Sequence, residues 1–238
     1  MTTPGGVSRE TVARGIFGER LTLAEQYAEI LRIDGVQRGL IGPREADRIW
    51  DRHLLNCAVV ATGIPPGADV IDVGSGAGLP GLVLAVARPD LQVTLLEPLL
   101  RRTRFLTEVV DRLGLDGSVT VHRARAEEVH GVLDAEVVTS RAVAPMDRLL
   151  RWCLPLLRPA GSVLALKGDR AAAELEAVVA TLPGLGASAW ALEVYGEGVI
   201  EPAVRVVRVV SGAGTAPDTR TIHAEPPTSS PRRTSRRR

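Results

Sequence analysis

The chain has little of several things that would mark a specialised architecture. Its 238 residues include two cysteines, Cys57 and Cys153, too few for a disulfide framework and without a Cys or His neighbour at metal-ligand spacing, so both read as small core residues. No apolar run approaches the roughly 18–20 residues of a membrane span. No basic stretch followed by an apolar one opens the sequence, so nothing marks secretion and the expected location is the cytoplasm. Aromatic residues make up only 3%, which argues against broad stacking on single-stranded nucleic acid. Lysine is nearly absent: Lys167 is the single one, and all other basic residues are arginines. An arginine-rich chain of this kind follows from composition bias alone, so basic residues carry weight only by position.

What is present suits a folded α/β protein. Hydrophobic residues are 45% and charged residues 24%, the proportions of a globular domain. The formal charge of +1 hides an asymmetry, since residues 211–238 hold six arginines against Asp218 and Glu225, a local +4 that leaves −3 on residues 1–210. That tail lacks apolar periodicity and reads as disordered and basic. Residues 1–20 are polar and Gly-rich and read as a loose arm. Residues 21–68 read as a helical segment. One helical face carries Leu23, Tyr27, Ile30 and Leu31, and a second helix, opened by Pro43, carries Ile49, Trp50, His53, Leu54, Cys57 and Val60 at spacings of three and four. Beyond residue 68 short β-rich runs at 69–73, 92–96, 118–123, 135–139, 162–166 and 204–210 alternate with helical patterns at 80–86, 101–113, 146–157 and 170–181. Several runs are apolar without alternation, as in strands covered on both faces. Strand and helix in turn predict a doubly wound, mostly parallel sheet over residues 69–210.

The sharpest signal is Val70-Ile71-Asp72-Val73-Gly74-Ser75-Gly76-Ala77-Gly78-Leu79-Pro80-Gly81, a strand running into glycines and then a helix. Glycine admits positive φ and lets a ligand approach the main chain. Part of the run satisfies the dinucleotide pattern GxGxxG, which alone is a weak match. Asp72 just before the loop suits a cationic ligand better than a pyrophosphate, which favours S-adenosylmethionine. Glu97, closing the next strand, offers a carboxylate to both ribose hydroxyls, a demand common to NAD and S-adenosylmethionine. An NAD-dependent oxidoreductase and a small-molecule methyltransferase therefore stay open from these residues. No nucleophile partners His53, His122, His130 or His223, and His53 reads as a packed, hydrogen-bonded histidine.

These segments, with Arg52-His53-Leu54-Leu55-Asn56, Leu95-Leu96-Glu97, Arg101-Arg102-Thr103-Arg104-Phe105-Leu106, Arg125-Ala126-Glu127-Glu128, Ser140-Arg141-Ala142 and Leu164-Ala165-Leu166-Lys167-Gly168, resemble the bacterial small-subunit ribosomal RNA methyltransferase G family, also called glucose-inhibited division protein B. The resemblance spans about residues 20–210. It implies a Rossmann-like class I methyltransferase that moves a methyl group from S-adenosylmethionine to guanine N7 in 16S ribosomal RNA. It also implies cofactor contacts at Gly74, Leu79, Ala126, Glu127 and Arg141. Gly39-Leu40-Ile41-Gly42-Pro43-Arg44 replaces the Asn-Leu-Thr segment common in the family, and Asn56 stands where the family often has Asp. Guanine N7 attacks through an in-plane lone pair and loses no proton, so no catalytic acid or base is expected, and no metal. Arg101, Arg102, Arg123, Arg125, Arg141 and Lys167 follow or end strands and are expected to form a phosphate-binding rim for RNA. The expected partner is the small ribosomal subunit or its RNA, and the expected state a monomer.

Overall fold

The computed structural model describes residues 8–212. Seven strands form one sheet in the order β3-β2-β1-β4-β5-β7-β6. They are β1 Asp69–Val73, β2 Gln92–Leu96, β3 Val119–His122, β4 Ala135–Arg141, β5 Leu157–Lys167, β6 Ala187–Tyr195 and β7 Val204–Ser211. The pairs among β1 to β5 are parallel, and β7 runs antiparallel to both β5 and β6. Strand order reverses between β1 and β4, so a crevice opens at their carboxyl ends, where doubly wound sheets bind ligands.

Helices α4 Gly81–Ala87, α5 Leu100–Leu113, α6 Met146–Cys153 and α7 Ala171–Glu176 connect the strands. One apolar cluster joins Val70, Val93, Leu95 and Val137 of the sheet to α4, α5 and the N-terminal helices. A second joins Ile71, Val138, Val163 and Val207 to Met146, Leu150 and Ala171 on the opposite face. The runs of consecutive buried residues in β1 (70–73), β4 (137–140) and β5 (161–166) follow from this double cover.

The expected loose arm is an ordered helix over most of its length. α1 Arg9–Phe17 starts at Ser8, whose hydroxyl accepts from Thr11 N–H at 3.2 Å, and buries Val12, Ala13 and Phe17. Phe17 meets Trp50 edge to face at 6.2 Å. A serine cap and the acidic Glu10 in the first turn are the local signals that outweigh the glycines. α2 Leu21–Ile30 runs on into a π turn, Leu31–Gly35. The helical stretch after Pro43 is a composite of Pro43–Arg48, Trp50–Leu54, α3 Leu55–Ala58 and Val59–Gly63, of 3-10, π, α and 3-10 form in turn. It still buries Ile49, His53, Leu54, Cys57 and Val60 as the spacing predicts.

Strand β6 has no counterpart in the sequence reading. Among the described residues it pairs only with β7, and it leaves Leu192 and Val194 exposed. The expected boundary at residue 211 moves slightly: Ser211 still belongs to β7, and Gly212 N–H donates to Gly186 O at 2.8 Å. The expected basic tail otherwise lies outside the described residues, as does the start of the N-terminal arm, residues 1–7.

Candidate cofactor and substrate cavities

Two adjoining cavities open at the carboxyl ends of β1 and β4. The first, about 580 Å³, is lined by the glycine loop, Glu97, Leu99, Arg102 and Arg125. Gly74 and Gly76 take left-handed φ of 73° and 59°, which a side chain would strain. A Cβ on Gly74 would come within 2.7 Å of Val143 Cγ2, whereas one on Gly76 would meet only Gly74 O at 3.8 Å and project into free space. The loop is thus a backbone cradle with room above it. Glu97 is 1% exposed, and its carboxylate accepts from Gly76 N–H and Leu99 N–H, both at 3.0 Å. A carboxylate has about four lone-pair sites, so acceptor capacity remains for a pair of hydroxyls. These residues fit the adenosine and ribose of S-adenosylmethionine.

Asp72 does not take the role expected of it. It is fully buried below the loop, where its carboxylate accepts from Gly81 N–H at 3.0 Å and Thr139 Oγ1 at 3.3 Å. Burial raises its pKa to about 6 against the lowering effect of those bonds. It braces the start of α4 and does not line either cavity. A second brace comes from α2: Tyr27 is buried and its hydroxyl donates to Ala77 O at 2.7 Å. The helical spacing shows Tyr27 facing the core; its bond to the loop, fifty residues away, has no local signal.

The second cavity, about 750 Å³, lies between the composite helical stretch, the loop after β4 and the end of β5. Glu45, His53, Arg141, Ala142 and Val143 line both cavities and form their shared wall. One Arg141 amino group donates to His53 Nδ1 at 3.0 Å and the other to Arg52 O at 3.4 Å. Burial, then the neighbouring Arg141 charge, lowers the His53 pKa to about 4, while Glu45 opposes the shift. His53 is therefore neutral at physiological pH.

The expected site residues divide by position. Gly74, Leu79, Glu97 and Arg141 meet in the first cavity, together with Arg102 and Arg125. Arg102 also lies 3.6 Å from Glu97. Ala126 is buried and Glu127 exposed on the turn Ala126–Val129, and neither lines a cavity. Arg101 and Arg123 are exposed, the latter donating to Pro98 O at 3.5 Å. Lys167 lines the second cavity but is not a free cation there. Its side chain is 8% exposed, and its ammonium donates to Glu174 at 2.8 Å and Ala144 O at 2.9 Å. Its charge is already paired, and it ties the loop after β4 to α7. Among the described residues no group of three or more His, Cys, Asp or Glu could hold a metal, and no helix is long and apolar enough to cross a membrane.

Comparison with solved structures supports the architecture. The chain superposes on a SAM-dependent O-methyltransferase from Thermotoga maritima with a TM-score of 0.52 at 14% identity, covering 67% of this chain and 65% of that one. It superposes on the mitomycin 7-O-methyltransferase MmcR at 0.53 and 20%, covering 72% and 59%. These establish the class I methyltransferase fold. Sequence relatives are much nearer. The ribosomal RNA small subunit methyltransferase G of Streptomyces coelicolor is 61% identical over 201 residues, 84% of each chain. That of Thermobifida fusca is 58% identical over 221 residues, covering 93% of this chain and 91% of its own. Residues 20–194 match the family described as rRNA small subunit methyltransferase G, and the chain belongs to that family.

Proposed function

We propose that the chain transfers a methyl group from S-adenosylmethionine to N7 of a guanine in 16S ribosomal RNA. The observation that carries this reading is the pair of cavities with a common wall: one has a backbone cradle and a carboxylate with acceptor capacity suited to a ribose, the other adjoins it at Arg141 and His53. Membership of the family supplies the substrate class. The cofactor would lie along Gly74 to Gly76 with its ribose on Glu97, and it supplies an electrophilic methyl on a sulfonium.

The residues of the chain then have only to bind, orient and exclude water. Guanine N7 carries no proton, so no general base is needed, and His53 in the shared wall is buried with its Nδ1 occupied by Arg141. Alignment of nucleophile and methyl carbon in a dry site supplies the rate. Arg125, Arg101 and Arg123, exposed around the first cavity, would meet phosphates, as would Arg102 and Arg141 at its wall. The scarcity of aromatics leaves recognition to RNA shape and phosphate position. We expect the enzyme to act in the cytoplasm as a monomer.

The test is to map N7-methylguanine in 16S ribosomal RNA from cells with and without the protein, and to supply purified small subunits and naked RNA to the purified enzyme. A single N7-methylguanine that depends on the protein is the expected result. Transfer to free metabolites but to no ribosomal RNA would overturn the reading. Within it, Arg141→Ala should lower methylation of RNA far more than cofactor affinity measured by calorimetry.

A further inference from the structure

N7 chemistry does not by itself select guanine, because adenine has the same lone pair at N7. The discrimination has to come from neighbouring atoms of the base, and two residues lining the second cavity carry buried polar atoms that the protein leaves without partners. His53 is 5% exposed. Because Arg141 donates to its Nδ1 at 3.0 Å, the proton of the neutral ring lies on Nε2. That Nε2–H is buried and has no hydrogen-bond acceptor, with Glu45 Oε2 lying 3.5 Å away. Asn56 lines the same cavity; its Nδ2 donates to Arg52 O at 3.3 Å, and its buried Oδ1 accepts nothing. Unsatisfied buried polar groups are costly, and in a native site they call for a partner from water, an ion or a ligand.

Resting on the functional reading above, we propose that these groups read the Watson–Crick edge of the target guanine: His53 Nε2–H donates to O6, the Glu45 carboxylate accepts from N1–H, and Asn56 Oδ1 accepts from the exocyclic N2 amine. The order matches the base. O6 neighbours N7, and His53 belongs to the wall shared with the cofactor cavity. N1–H follows O6, and Glu45 is the group next to His53 Nε2. N2 is farthest from N7, and Asn56 lines the second cavity alone. Adenine would set its N6 amine against the His53 donor and its N1 lone pair against the Glu45 carboxylate, two repulsive contacts that reject it. Arg141 acts here as a positioning residue, fixing the tautomer that makes His53 a donor.

Inosine, which keeps N7, O6 and N1–H but lacks the N2 amine, isolates the Asn56 contact. After the methylated guanosine is mapped, small subunits are reconstituted with 16S ribosomal RNA carrying guanosine or inosine at that position. Wild-type kcat/KM should fall about tenfold on inosine, the usual scale for losing one buried hydrogen bond. Asn56→Ala should accept both bases within about twofold of each other, because the acceptor that distinguished them is gone. Asn56→Asp, which keeps an acceptor, should still discriminate. Affinity for S-adenosylmethionine should be the same in all three proteins, since Asn56 does not line the cofactor cavity. Equal use of guanosine and inosine by the wild type overturns the assignment, a result that needs no variant to fold. So does undiminished discrimination by Asn56→Ala. Absence of N7-methylguanosine from the wild-type mapping instead overturns the functional reading, and the base assignment with it.

Discussion

The two cavities share a wall but are built differently. In the first, the glycine-loop backbone and the Glu97 carboxylate are braced from behind: Glu97 by Gly76 and Leu99, Ala77 by Tyr27, Gly81 by Asp72, while Arg102 Nε in the wall of the same cavity has no partner. In the second, side chains do the presenting, and Asn56 Oδ1 and, in the shared wall, His53 Nε2 are left without partners. A ligand common to many enzymes can be met by a cradle whose backbone and carboxylate are largely braced in advance. Choosing one base among four depends on donors and acceptors that stay unsatisfied until the right edge arrives.

The contrast can be broken hardest at the cradle. Gly74→Arg should abolish measurable S-adenosylmethionine binding by calorimetry with the circular dichroism spectrum intact, because its Cβ alone would sit 2.7 Å from Val143 and the side chain would fill the loop. Retained binding in a folded variant would show that the ligand lies elsewhere. Next in size is Glu97→Ala, which removes the proposed ribose acceptor and should weaken binding by roughly 1–3 kcal/mol.

His53 in the wall between the cavities and Asp72 beneath the glycine loop give a pH signature with two opposing parts. His53, with its folded pKa lowered to about 4, contributes stability that is complete above its unfolded value near 6.5 and is lost as pH falls toward 4. Asp72, raised to about 6, works in the other direction: its contribution is complete below the unfolded value near 4 and is lost as pH rises through 6. The two contributions therefore oppose each other across that window. In denaturation from pH 4 to 6.5, stability relative to the wild type should fall with rising pH in His53→Gln and rise with it in Asp72→Asn. Parallel profiles for the two variants would refute the assignment.

The smallest effect separates two cations. Arg125→Ala should reduce the salt dependence of RNA binding by about one unit of slope, the signature of one phosphate contact. Lys167→Met should leave that slope unchanged, because Glu174 already neutralises the ammonium.

The same contrast explains what could be read from the chain. Gly74, Gly76 and Glu97 are legible because the cradle is local: a strand, its turn and the end of the next strand. The doubly wound sheet is legible because β1, β4 and β5 are covered on both faces, so that apolar residues follow one another without alternation at Val70-Ile71, Val137-Val138 and Val163-Leu164-Ala165-Leu166. β6 carries a weaker pattern, since an edge strand paired on one side buries little of itself. α1 is masked by its Gly-rich setting, although Ser8 and Glu10 announce it. Asp72 is misread because sequence gives its place in the strand but not which side of the loop its carboxylate reaches. The unpartnered atoms of His53 and Asn56 are invisible in principle. Whether a polar atom is satisfied depends on segments such as Glu45 and Arg141, which meet only in three dimensions.

The Tyr27 hydroxyl ties α2 to the glycine loop through Ala77 O at 2.7 Å. The bond couples the helix to the loop, so a ligand that steadies the loop should also steady the helix. Amide hydrogen exchange would register this at a distance. Saturation with S-adenosylmethionine should slow exchange in Leu21–Ile30, a segment that lines neither cavity, and Tyr27→Phe should confine the protection to the loop.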